Sequence, residues 1–229
     1  MVSAQIPVPA LILRGLAAAC LVAALAGCSD DLKPLPPEPS VGTPPVTPPG
    51  TPPETTAVAP ETVVRDLVSS WNDRDVSRYA GLFTADYEFV FAPSDTSSSH
   101  DRFGRGEELT FAQHLFVGGG VEPPATAILF VINPVLVAAP DSRPGKDPTV
   151  HREIATGFDL TVTTAERLHH FSGTARFFVV RGDSAGSGAD ANRWYVERWV
   201  DGSVPGPLPA GIQAGRPRTI GDLKLLYLP

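Results

Sequence analysis

Two cysteines and one methionine are all the sulfur in a chain of 229 residues, and both cysteines, Cys20 and Cys28, stand near the start. Everything beyond residue 28 lacks a thiol. That excludes structural disulfides, thiolate zinc sites and cysteine nucleophiles from the domain that follows. An apolar run of about a dozen residues, Gly15 to Ala26, falls short of the roughly 20 that a membrane-spanning helix needs. Basic residues are scattered, 18 against 25 acidic ones for a formal net charge of −7, and no run or stripe of them could neutralise a phosphate backbone. Nucleic acid is therefore not an expected partner. Missing as well are H-E-x-x-H, a histidine pair at i,i+4 and a G-x-S-x-G elbow, so neither a metal nor a hydrolase triad has a motif to stand on. The sequence implies no cofactor.

What is present begins with an address. Arg14, the small and apolar run after it, and Leu25-Ala26-Gly27-Cys28 resemble a bacterial lipoprotein signal. The resemblance implies cleavage before Cys28, acylation of its thiol and new amino group, and attachment to the membrane through that lipid. Several acyl chains anchor stably where one does so only reversibly. The implied location is the bacterial cell envelope. Ser29, standing where the inner-membrane retention signal has Asp, favours the outer membrane over the inner one.

Residues 28–60 form the next segment, with 11 of the chain's 25 prolines between Lys33 and Pro60 and T-P-P recurring at Thr43, Thr47 and Thr51. Proline fixes φ and removes backbone donors, so no core is expected there. The segment reads as a disordered to polyproline-II tether. Residues 61–229 remain as one domain.

In that domain Val63, Val64, Leu67, Val68 and Trp71 recur at helical spacing and predict a helix over about 60–73. Asp75 suits an N-cap for a second short helix with Tyr79, Leu82 and Phe83. Tyr87 to Phe91 reads as a strand. A Ser-rich loop around Asp95 to Ser99 then leads to a third helix from Gly106 to Val117, ended by Gly118-Gly119-Gly120. The second half is rich in β-branched and aromatic residues and predicts strands over Ala127 to Val137 (bent or at an edge near Pro134), His151 to Thr163, Leu168 to Val180 and Arg193 to Asp201. Alternation in the middle two gives one buried and one wet face. Residues 201–229 read as an irregular Gly/Pro-rich loop and a short helix opened by Thr219-Ile220-Gly221-Asp222.

The stretch V-V-R-D-L-V-S-S-W-N-D-R-D-V-S-R-Y-A-G-L-F-T-A-D-Y-E-F-V-F, Val63 to Phe91, resembles the opening of NTF2-like domains, also called SnoaL-like or cystatin-like cones. It implies an α+β fold with about three N-terminal helices packed on a curved antiparallel sheet and a short C-terminal helix. Such a helix-covered concave sheet encloses a pocket and is often dimeric. In the ketosteroid isomerase branch a carboxylate base sits in the first strand; an ungapped comparison through Leu82-Phe83 puts Phe91 there, and phenylalanine accepts no proton.

The weak catalytic candidates are His169, Glu197 and Glu88. His169 shares the alternation parity of Phe171, Ala175 and Phe177 and so faces the concave side, while His170 faces out. Glu197 and Arg198 are adjacent in the last strand, so one of them must share a face with either Tyr195 and Trp199 or Trp194 and Val196, and either arrangement buries part of a charge; Tyr195 and Trp199 join His169 as pocket candidates. His114 lies opposite the apolar side of its helix. Ser, His and Asp between Ser97 and Asp101, and Asp183 with Asp190 in a hairpin loop, lack triad and EF-hand spacing. The expectation is an envelope lipoprotein presenting a domain that leans away from catalysis and binds a small apolar ligand or an envelope protein. An isomerase, dehydratase or hydrolase using His169 with Glu197 or Glu88 is one alternative. A homodimerising structural module is the other.

Overall fold

The computed structural model describes residues 58–93, 101–182, 184–186, 188–204 and 217–228. The signal segment, Cys28, most of the proline-rich stretch, Ser97 to His100 and Asp183 lie outside the described residues. Eleven elements follow in chain order: α1 (Glu61–Asp73), α2 (Val76–Ala80), β1 (Phe83–Val90), β2 (Arg102–Gly104), α3 (Arg105–Phe116), β3 (Ala125–Ile132), β4 (Ala138–Pro140), β5 (His151–Thr164), β6 (Leu168–Arg181), β7 (Trp194–Ser203) and α4 (Ile220–Leu226).

α1 forms because Val63, Val64, Leu67 and Trp71 make one apolar stripe, and all four are buried. It stops at Arg74, whose left-handed φ of 55° turns the chain toward Asp75. The Asp75 carboxylate accepts from the Arg78 N–H at 2.9 Å and caps α2 as its sequence position predicts. α3 ends at the triple glycine, where Gly118 and Gly119 hold φ of 113° and 99°, a region that side chains avoid.

The strands make one sheet in the order β2-β1-β7-β6-β5-β3, with β4 also pairing β5. All neighbours are antiparallel except β1 and β7, which run parallel. Register shifts in the β1–β7, β3–β5 and β6–β7 pairings bend the strands. The three N-terminal helices lie against the concave face, and α4 packs beside α3 and β7. The domain is thus α+β: three helices on a curved, mostly antiparallel sheet, with a short C-terminal helix.

Three details depart from the sequence reading. The run expected from Ala127 to Val137 stays a strand only to Ile132: the pairing breaks at Asn133-Pro134, where proline offers no N–H to the ladder, and the next strand, β4, begins beyond the run at Ala138. β1 starts at Phe83, four residues before Tyr87, since the second helix closes at Ala80. β2, which pairs Arg102 to Gly104 with β1, stands where a loop leading into the third helix was expected.

Asn72 clips the helices to the sheet. Its amide donates to the Phe130 carbonyl at 3.1 Å and its carbonyl accepts from the Phe130 N–H at 2.6 Å. Asn72→Ala leaves both backbone groups of Phe130 without that partner and will cost about 2 kcal/mol, read as a lower urea midpoint at unchanged slope.

Candidate functional site: the cone interior

Helices and strands alike send side chains into the hollow between them, and the group that fills its centre comes from the last helix. α4 presents Ile220, Leu223, Lys224 and Tyr227 to the domain, and Lys224 is completely buried. Its ammonium binds both carboxylate oxygens of Glu108, itself fully buried on α3. The Tyr79 hydroxyl, from α2, donates to the same carboxylate. Aromatic faces close the rest of the surround: the Lys224 nitrogen lies 3.8 Å from the ring centre of Phe89 on β1, 4.5 Å from Trp199 on β7 and 5.2 Å from Phe111 on α3. Trp71, from α1, packs edgewise against Tyr79, Phe130 and Trp199.

Two polar clamps hold α4 in place. At its start the buried Asp201 carboxylate accepts from the Ser203 N–H at 2.8 Å and from the Gly221 N–H at 3.2 Å, while the Ser203 hydroxyl oxygen accepts from the Ile220 N–H at 3.2 Å. At its end His114 Nδ1 lies 2.7 Å from the Tyr227 carbonyl; a carbonyl only accepts, so Nδ1 carries the proton. His114 is thereby engaged across the domain instead of facing away from it.

Burial dominates the electrostatics. It pulls the Lys224 ammonium below the ordinary lysine range, against the pull of Glu108. It also lifts the Asp201 carboxyl above the usual aspartate range. Tyr79 and Tyr87 are both pushed well above the phenol range, by burial first and by the Glu108 charge next. The Tyr87 hydroxyl and the indole N–H groups of Trp71 and Trp199 are buried without a hydrogen-bond partner, so the interior holds more donors than its one central carboxylate takes.

The tyrosines give a direct test. A phenol whose folded pKa is raised contributes stability below the unfolded pKa of about 10, and that stability is lost as pH rises further. Above that pH the domain will lose about 1.4 kcal/mol per pH unit for each of these two buried tyrosines. Absorbance at the phenolate band will show Tyr79 and Tyr87 ionising only together with unfolding; their ionisation in the folded domain at pH 10 would contradict the burial.

The sequence candidates do not meet here. His169 is buried on the concave side with its ring stacked on Phe171, the ring centres 6.3 Å apart. It lies on β6 beside Val162 of β5, near the hairpin, whereas Phe177, the partner of Trp199, is eight residues along the same strand, or about 27 Å. Glu197 occupies the β7 bulge opposite Phe178 and Val179, further along again, and faces outward. There it binds Arg143 and Lys146, which hold its carboxyl below the usual range against the effect of burial. Glu88 lies on the outer face between Arg198 and Arg102. The structure does not bring His169 together with Glu197 or Glu88, which lie far along the sheet from it and on the other face. Tyr195 packs outside the cone as well: its hydroxyl oxygen accepts from the Asp190 N–H at 3.0 Å, and Arg193 stacks over the ring. Of the pocket candidates, Trp199 lies at the Lys224 centre, His169 lies far along β6 from it, and Tyr195 lies outside.

Glu108 and Lys224, absent from that expectation, had a visible signal. Glu108 precedes Phe111, Ala112, Leu115 and Phe116 at the spacing of one buried stripe, and Lys224 stands with Ile220, Leu223 and Tyr227 in another. A charged residue in a core position must find a partner, and each is the partner the other needs.

Among the described residues, concavities also open on the outer surface. A polar cleft of about 370 Å³ is lined by Thr84, Asp86, Lys146, His151 and Glu197 among others. A shallower groove of about 490 Å³ runs along the β3–β5 edge past Val131, Asn133, Pro134, Phe158 and Asp159. Among the described residues no group of three His, Cys, Asp or Glu side chains is placed to hold a metal ion, and no helix is long and apolar enough to cross a membrane.

No family model and no curated protein matches the sequence. Solved structures resemble it in fold. A conserved protein from Planctomyces limnophilus is 16% identical with a TM-score of 0.44, covering 63% of this chain and 92% of its own. An NTF2-like superfamily protein from Salmonella enterica is 10% identical with a TM-score of 0.42, covering 68% and 93%. LinA is 13% identical with a TM-score of 0.45, covering 68% and 90%. At these values the likeness concerns the fold alone.

Proposed function

We propose that this chain is a lipid-anchored protein of the bacterial cell envelope whose NTF2-like domain acts by binding another protein and not by catalysis. The observation that carries the reading is the filled cone. Where the resemblance places a substrate pocket, Lys224, Glu108 and Tyr79 satisfy one another and are wholly buried. A general base needs a free lone pair within reach of a substrate proton, and the Glu108 carboxylate is already shared between an ammonium and a phenol. The anchoring part rests on Leu25-Ala26-Gly27-Cys28. Cys28→Ala will abolish metabolic palmitate labelling; labelling that persists in the variant refutes the anchor.

Self-association is the second reading, favoured by Leu129, Val131, Val135 and Val137, which are 48–77% exposed within one short stretch of the β3–β5 edge. Native mass spectrometry of the full chain released from detergent tests both readings. A bare monomer supports the protein-binding reading and a dimer the second. A stoichiometric small molecule carried along overturns both.

A further inference from the structure

The surround of the Lys224 nitrogen has the chemistry of an ammonium receptor. One carboxylate takes its N–H groups, and the faces of Phe89, Trp199 and Phe111 close around the charge. Carboxylate plus ring faces is the combination that selects an organic cation over a neutral or anionic molecule of the same shape. Buried N–H groups of Trp71 and Trp199 offer nothing to a cation, and Asp201 adds a second negative group beyond the first. The occupant is supplied by a seven-residue helix at the end of the described chain, held at its two ends by the Asp201–Ser203 and His114 contacts.

We propose that the cone interior is a binding site for an unbranched primary alkylammonium group of about four carbons, the length of a lysine stem, and that α4 carries its built-in ligand, Lys224. The inference goes beyond the protein-binding reading and holds whether or not the outer surface engages a partner. With the lysine shortened, the carboxylate and the rings remain, and a free alkylammonium completes them.

The test uses the full chain carrying Lys224→Gly, which removes all four stem carbons, with n-butylammonium chloride as the probe. Thermal unfolding will show a saturable rise in Tm of about 5–10 °C at a hundredfold excess over its Kd. 1-Butanol and sodium butyrate at equal concentration will give less than half of that rise, and Glu108→Gln in the same background will remove it. Should Lys224→Gly be unfolded at the start, circular dichroism will report refolding by butylammonium and not by butanol. Equal responses to butylammonium and butanol, or an unfolded variant that butylammonium leaves unfolded, overturn the proposal. A measurement on the unaltered protein needs no variant: the 15N-labelled Lys224 side chain will give an exchange-protected ammonium resonance at pH 7, and a neutral amine there overturns it equally.

Discussion

Glu108→Ala will lower the unfolding free energy by about 3–5 kcal/mol, the cost of leaving one member of a buried ion pair alone. Lys224 would stay enclosed by Phe89, Trp199 and Phe111 with no anion beside it, and the Tyr79 hydroxyl would lose its acceptor in the same step. The loss has a pH signature. Burial already depresses the Lys224 pKa, and without Glu108 only the weaker pull of the Asp201 charge opposes it. A base with a lowered folded pKa gains stability as pH rises from that value toward its unfolded pKa of about 10.4, so the variant will be less handicapped at pH 9 than at pH 6. Replacing both partners, Glu108→Met with Lys224→Met, removes the charges together and will be near neutral or up to about 4 kcal/mol more stable than the native chain. Urea unfolding of the four-member cycle measures this. A single Glu108→Ala that costs under about 1 kcal/mol, the value of an exposed pair, would mean the pair is not buried.

Trp71→Ala will cost about 3–5 kcal/mol for another reason, a cavity that nothing can fill. Trp71 is wholly buried, and its ring meets Phe111, Phe116, Phe130 and Trp199 at centre distances of 5.5–6.2 Å. Those rings come from α3, β3 and β7, so collapse around the void would require three elements to shift at once. Guanidinium unfolding will show the lost midpoint. Tryptophan fluorescence will show it too, since Trp194 and Trp199 remain to report. A variant within about 1 kcal/mol of native would require a relaxation that such a core does not allow.

The sequence made the frame legible where spacing and turn chemistry agree: the α1 stripe, the Asp75 cap, the glycine stop after α3 and the alternation in β5 and β6 each depend on neighbours in the chain. The interior was less legible because it depends on distant residues. Glu108 and Lys224 are 116 positions apart, and their residue types argue for the surface even though their spacing argues for the core. Parity rightly turned His169 toward the concave face, but it says nothing of position along a strand, and that position separates His169 from Trp199. Glu197 escaped the alternation argument because it sits in a bulge, where strict alternation lapses.

The place of β7 in the sheet sets the order in which the domain can assemble. It lies between β1 and β6, so β1, formed from residues 83–90, has no central neighbour until residues 194–203 arrive. A parallel pairing across such a separation raises contact order and puts a slow loop closure ahead of any stable sheet. During synthesis the helices and the β5–β6 hairpin can form locally, but the concave face cannot close around Trp71 and Trp199 while β7 is still missing. The two halves of the sheet therefore wait on one strand, and the core around Trp71 and Trp199 closes only once residues 194–203 have been made.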